Sequence, residues 1–233
     1  MIKKYEYLLF DADNTLFDFT KAEQISFRET CGETGLNYSS QLCMKYSEIN
    51  DSLWKKLETG DITLERLKLD RFRLLLLDIG YPDDEETFHT AELMRDNYVR
   101  FLGQQSCLID GAETVCRTLA KKYKMYIVTN GISAIQRARL ANSEIKDCFV
   151  DIFVSEEIGV SKPSRGYFDY VIKKIGDQDV SKYLVIGDSL TSDCDGAIAY
   201  GMDICRYNPM HKPSDGRKLT YDIEKLSELY AIL

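Results

Sequence analysis

Hydrophobic positions along the chain change their period twice. Residues 5–10 form an apolar and aromatic run whose only charge is Glu6, the pattern of a strand buried on both faces in a parallel sheet. From Asp18 to about Gln105 the period is helical. It predicts helices over 21–34, 41–57, 63–77 and 83–102, the second with Leu42, Tyr46, Ile49, Leu53 and Leu57 at three- and four-residue spacing. Gly35, Gly60, Gly80 and Pro82 are their stop signals, and Asp83 with Glu86 reads as a capping box opening the fourth. Four helices with short connections predict a small bundle.

After Gly103 short apolar runs alternate with helical stretches. A helix is predicted over 110–123, boxed by Asp110 and Glu113, then a strand over 125–128. A helix boxed by Ser133 and Gln136 follows, then a strand over 150–154 and a helix over 164–175 behind Pro163. A strand over 183–186, a helix over 192–200 closed by Gly201, a strand over 202–206 and a helix over 223–233 complete the chain. This alternation predicts an α/β fold, a doubly wound parallel sheet (Rossmann-like core). The first strand belongs to that sheet, so the four-helix bundle is an insertion. The predicted domains are a core of 1–17 and 106–233 and an inserted helical domain of 18–105.

Composition narrows the partners. A chain of 233 residues holds one substantial core, or a core plus a smaller domain, and 44% apolar with 29% charged residues is ordinary for a soluble globular protein. A net charge of −8 argues against a nucleic-acid polymer as partner. Seven scattered cysteines without a C-x-x-C pair fit reduced thiols and a cytoplasmic location. No signal peptide is evident, because residues 1–4 lead straight into the first strand. No apolar run approaches the roughly 20 residues a spanning helix needs, so no membrane partner is expected. His89 and His211 stand in no catalytic pattern.

Chemistry gathers at the ends of the predicted strands. Asp11 and Asp13 follow the first, and alternation along an extended chain points them the same way. Two such charges repel by about 4 kcal/mol at 4 Å with an effective dielectric near 20. A hard cation such as magnesium would relieve that, although a strand-end turn also favours Asp and Asn. Thr129, Asn130 and Gly131 follow the second strand. Asp188 and, five residues on, Asp193 follow a later one, and Lys162 precedes a helix. Each is ordinary alone: a turn, a solvated lysine, an acid at a helix start. Together they mark one face, because open α/β sheets bind ligands outside the carboxyl ends of their strands.

In this order and spacing the chain resembles the haloacid dehalogenase superfamily of phosphohydrolases over its whole length. The motifs are Asp11-Ala12-Asp13-Asn14-Thr15-Leu16, Thr129-Asn130-Gly131, Lys162 within Ser-Lys-Pro, and Gly187-Asp188 through Ser192-Asp193. The resemblance implies that the insertion is a helical cap, Asp11 a nucleophile forming an aspartyl-phosphate, and Asp13 the acid and base. Lys162 would neutralise charge, and Thr129, Asn130 and Gly131 would hold the phosphoryl group. Mg2+ would sit on Asp11, the Asp13 carbonyl and Asp188, with Asp193 orienting metal-bound water or Lys162. Dehalogenase members lack the second aspartate, so Asp13 implies phosphoryl transfer. Asn14 departs from the acidic residue found there in some members.

Residues 50–63, followed by Arg71 and Phe72, are similar to the cap of bacterial pyrimidine 5′-nucleotidases, as are 10–13 and 155–163. This implies a small phosphorylated metabolite as partner, a pyrimidine nucleoside monophosphate, met by Phe17, Asn50 and Trp54. Trp54 also lies on the helix stripe near Leu53 and Leu57, where a core role explains it better, and Phe17 and Asn50 are expected to be better placed to meet a ligand. The alternatives are a sugar-phosphate or phosphoglycolate phosphatase, and a non-catalytic protein that binds a phosphate ligand.

Overall fold

The structure is a computed structural model describing residues 5–233; residues 1–4, and with them the expected direct entry into the first strand, lie outside the described residues. β1 (Tyr7–Phe10) pairs in parallel with β2 (Lys124–Thr129) on one side and β4 (Tyr183–Gly187) on the other. With β3 (Asp151–Val154), β5 (Asp203–Tyr207) and β6 (Tyr221–Ile223) the order is β3-β2-β1-β4-β5-β6, parallel throughout. The chain winds outward from β1 to β3, then returns to β4 and winds the other way. β1 therefore sits at the point where strand order reverses, the place where such sheets bind ligands.

Both faces of β1 are apolar, which is why its sequence reads as a continuous run. Leu8 and Phe10 pack with Met125, Ile127, Leu184 and Ile186 beneath α5 (Ala112–Leu119) and the C-terminal α10 (Leu229–Ile232). Tyr7 and Leu9 pack with Val128, Val185 and Ile204 beneath α8 (Arg165–Ile175) and α9 (Asp195–Tyr200). Each fully buried side chain of this size contributes about 1.5–3 kcal/mol of hydrophobic stabilisation.

The described chain divides into two compact units. One runs to Thr20 and resumes at Ser106–Leu233; the other is Lys21–Gln105. The second consists of α1 (Phe19–Glu33, from Lys21 on), α2 (Ser40–Glu58), α3 (Leu64–Asp78) and α4 (Glu85–Gln104). Each helix places one ring in a shared aromatic core: Phe27 stacks on Tyr46 at 4.4 Å, Tyr46 on Phe72 at 5.3 Å, and Phe72 meets Tyr98 at 5.5 Å. Ser39, Thr63 and Asp84 accept hydrogen bonds from the first turns of α2, α3 and α4.

Several predicted boundaries move, for local reasons. Asp84, not Asp83, caps α4; Asp83 pairs with Arg73 instead. The Asp110–Glu113 box does not form: Gly111 enters α5 at φ +76°, Glu113 bonds Arg117 one turn on, and the helix stops at Leu119 rather than Tyr123. Ile223 opens no helix; it ends β6, in register with Tyr207, and the closing helix is reduced to a 3-10 turn, Leu226–Glu228, leading into the single turn of α10. The helix expected over 192–200 begins as a π-helical turn, Leu190–Cys194, before α9. Among the described residues no helix is long and apolar enough to cross a membrane.

Candidate active site

The loop after β1 is a tight reversal. The carbonyl of Ala12 accepts from the amides of Leu16 and Phe17 at 3.0 and 2.9 Å, and Asn14 sits at φ +58°. Asparagine is among the few residues with a side chain that tolerate that region, which gives the departure at Asn14 a backbone reason. The reversal presents Asp11 directly beyond the switch point, beside the ends of β2 and β4.

Lys162 is no surface residue. It is 1% exposed, and its Nζ donates to Asp11 Oδ1 at 2.7 Å, Asp193 Oδ1 at 2.6 Å and the Val128 carbonyl at 2.7 Å. Its main chain is fixed as well: the Asn130 amide donates to the Lys162 carbonyl and accepts from its N–H, both at 2.9 Å. The turn after β2 thus holds the lysine loop through Asn130, while Thr129 Oγ1 accepts from the Gly131 N–H at 3.0 Å. Burial pulls the Lys162 pKa down, but Asp11 and Asp193 raise it further, so the ammonium stays charged.

Asp193 comes from the π-helical turn after β4. Its Oδ2 accepts from the Ser189 N–H at 3.1 Å and lies so close to β4 that a Cβ on Gly187 would stand 2.3 Å away. Only glycine fits before Asp188. Oxygens of Asp11, Asp188 and Asp193 all lie within 4.8 Å of one another. Burial pushes the Asp11 carboxyl well up; Lys162 opposes the shift and the neighbouring carboxylates add to it. Burial and Asp193 push Asp188 up to about 7. Three crowded carboxylates around one lysine leave a surplus of negative charge that a divalent cation would offset. An all-oxygen donor set suits a hard ion such as Mg2+. Both oxygens of Asp193 already serve Lys162 and Ser189, which fits it to an outer place and leaves Asp11 and Asp188 to face the ion.

Asp13 is arranged differently. Its side chain turns to α6 (Ser133–Ala141), where Gln136 Nε2 donates to Oδ2 and Arg139 Nη1 pairs with Oδ1. Arg139 is wholly buried, its guanidinium 4.6 Å from the centre of the Phe17 ring. The predicted Ser133–Gln136 box does not exist. Glu156, at the start of the short α7 (Ser155–Ile158), accepts from the Ser133 N–H at 2.6 Å, and this frees Gln136 to reach Asp13. Sequence reasoning missed Gln136 and Arg139. The available signal was that both fall on the buried stripe of α6 with Ile135, where a charge needs a partner.

The structure brings Asp11, Lys162, Asp188 and Asp193 together beside Thr129 and Asn130. Phe17 is buried in the core beneath Arg139. Asn50 and Trp54 belong to the helical unit, and there Asn50 is 1% exposed. Its amide donates to Glu23 Oε1 at 3.2 Å and its oxygen accepts from Arg71 at 3.4 Å, while Arg71 lies 4.5 Å from the Tyr98 ring centre. Trp54 is the partly exposed residue of the three. We expect Asn50→Ala to lower the thermal midpoint by several degrees, since it leaves the buried Arg71 guanidinium without its acceptor and Glu23 with Ser47 alone, at a cost of about 1–3 kcal/mol. A melting curve unchanged from wild type would remove Asn50 from the support of this bundle.

The profile of haloacid dehalogenase-like hydrolases matches residues 5–201. The HAD-hydrolase YfnB of Bacillus subtilis is 39% identical over 233 residues, covering 100% of this chain and 97% of that protein. Its crystal structure, bound to magnesium and described as revealing interdomain movement, superposes with a TM-score of 0.91 over 99% of each chain. The pyrimidine 5′-nucleotidase PynA of Streptococcus pneumoniae is 33% identical over 227 residues, 97% of this chain and 93% of its own. The pyrimidine 5′-nucleotidase YjjG of Escherichia coli is 27% identical over 231 residues, 99% of this chain and 98% of its own. With the β1 aspartates, the β2 turn, the buried lysine and the β4 aspartates all in place, the chain belongs to the haloacid dehalogenase-like hydrolases.

Proposed function

We infer that the protein is a magnesium-dependent phosphomonoester hydrolase, working through an aspartyl-phosphate on Asp11, with pyrimidine nucleoside 5′-monophosphates as substrates. The observation that carries the reading is the division of labour between two aspartates two residues apart: Asp11 is bonded to Lys162, and Asp13 to Gln136 and Arg139. Carboxylates held in different environments take different roles.

The Asp11 carboxylate attacks phosphorus, and the bond from phosphorus to the ester oxygen breaks. Asp13 enters the cycle protonated, with one oxygen released from its Gln136 or Arg139 donor; it gives that proton to the departing alkoxide, then recovers one from the water that cleaves the acyl phosphate, returning Asp11 and releasing phosphate. Cleavage of a carbon–halogen bond needs no such proton. Lys162 neutralises Asp11 and the phosphoryl oxygens, and Thr129 Oγ1 with the Asn130 and Gly131 turn supplies hydrogen bonds to the group in transfer. Asp11, the Asp13 carbonyl and Asp188 would hold magnesium, with Asp193 outside them; bound there, the ion offsets the repulsion between carboxylate and phosphate. The inserted unit, residues 18–105, serves as the cap that selects the leaving group, with the partly exposed Trp54 as its candidate contact, since Phe17 and Asn50 are buried. The pyrimidine assignment is supported by the names of PynA and YjjG and by the cap stretch 50–63.

The test is phosphate release from uridine and thymidine monophosphate against sugar phosphates, phosphoglycolate and p-nitrophenyl phosphate. Chelation should lower turnover at least about 100-fold, and magnesium should restore it. A pyrimidine nucleotide should exceed a sugar phosphate in kcat/KM by about tenfold or more. A preference for sugar phosphates overturns the nucleotidase reading and leaves the phosphatase. Full activity after exhaustive chelation overturns the metal requirement, and no release from any ester overturns the phosphatase.

A further inference from the structure

We propose that Gln136 and Arg139 are positioning residues for Asp13: they hold its carboxylate apart from the cation-binding cluster, so that it serves the leaving group and not the metal. The inference rests on the phosphatase reading and adds two residues to it.

A third aspartate beside Asp11 and Asp188 has a competing fate. Lys162 and a divalent ion attract any nearby carboxylate, and a carboxylate captured as a ligand can no longer reach an ester oxygen. Asp13 is two residues from Asp11, yet it is not among the carboxylates that cluster within 4.8 Å. The opposing force is visible on its other side. Arg139, a full positive charge with a side chain 0% exposed, takes Oδ1, and the buried Gln136 takes Oδ2. Phe17 backs the guanidinium, so a residue of the catalytic loop itself fixes the height of the clamp.

Two observations set this apart from general packing. The Gln136 amide donates to Asp13, while its own Oε1 is buried with no hydrogen-bond partner among the described residues. A glutamine kept for structure alone would satisfy both ends. Gln136 also fills the space above Gly131: a Cβ there would stand 2.2 Å from Nε2. The side chain that holds Asp13 thus lies against the turn proposed to grip the phosphoryl group.

The experiment uses leaving-group chemistry. A nucleoside alkoxide needs Asp13's proton as the phosphorus–oxygen bond breaks; p-nitrophenolate leaves with little help. Arg139→Met and Gln136→Leu preserve most of the packing. Each should lower kcat/KM for uridine monophosphate, which reports the steps up to alcohol release, by roughly 10–100-fold, while kcat/KM for p-nitrophenyl phosphate loses less than about threefold. Arg139→Lys, which keeps the charge, should regain most of the loss. In an Asp13→Asn background, adding Arg139→Met should change nucleotide turnover by less than about twofold. Equal losses in kcat/KM on both esters with wild type active, or an undiminished loss in the Asp13→Asn background, overturn the clamp and leave the phosphatase standing. A wild type inactive on both esters overturns the phosphatase reading and this one with it. Melting curves identify a variant that fails to fold, and Gln136→Leu and Arg139→Lys then decide.

Discussion

Asp11→Asn abolishes phosphate release and leaves the protein at least as stable as before. The expected loss of turnover is about 10⁴-fold or more, the scale seen when a covalent nucleophile is removed. The amide keeps the shape and can still accept from Lys162, so nothing collapses. Stability follows from the charge count: Asp11 is buried among Asp13, Asp188 and Asp193, and burial with those neighbours makes its ionised form costly. Removing that charge relieves repulsion, while Lys162 keeps Asp193 and the Val128 carbonyl. Phosphate release from a pure sample, read with a thermal melt, checks both halves. Near-wild-type turnover would sink the nucleophile assignment; a large fall in midpoint would mean that Asp11 supports the fold.

Lys162→Met acts in the opposite sense on stability. It removes the one ammonium shared by Asp11 and Asp193 and strands two buried carboxylates. Breaking a buried pair in this way costs about 3–5 kcal/mol, or roughly 6–20 °C in the midpoint for a chain of this size. Turnover should fall about 10³-fold or more, because the proposed nucleophile Asp11 and the phosphoryl oxygens lose their nearest cation. The double variant Asp11→Asn, Lys162→Met should melt higher than Lys162→Met alone, since one fewer carboxylate is left unpaired. An additive pair, or a midpoint unmoved in the single variant, would refute the account of Lys162 as the charge balancer.

The parts legible in the sequence are those set by short-range pattern. The apolar run into Asp11, the helical period of the insertion and the strand-then-polar punctuation at Thr129 and Asp188 all survive in the structure, because period and turn chemistry act locally. The misplaced parts depend on partners far along the chain. Ser133 and Gln136 have the spacing of a box, yet Glu156 takes the Ser133 amide and Gln136 crosses to Asp13. Lys162 reads as a solvated lysine until Asn130, Val128, Asp11 and Asp193 are folded around it. The strand ending at Ile223 is too short to announce itself and exists because β5 offers an edge. Asn50 and Phe17, expected to face a ligand, are buried, and only packing reveals that.

The central place of β1 also bears on how the chain is made. β1 leaves the ribosome before the other strands of the sheet, but the register partners of its Phe10 are Ile127 and Ile186. At about 5–20 residues per second, the roughly 180 residues before the second partner take about 10–40 seconds to emerge. Through that interval the strand carrying Asp11 has an unfilled edge, whereas the helical unit is complete by Gln105 and its contacts are local enough to form at once. Synthesis therefore runs in two acts, a bundle that can fold as it appears and a sheet whose middle strand waits for its flanks. Asp11 meets Lys162 only in the second act, so a nascent chain carries no assembled site until nearly the whole sheet is built.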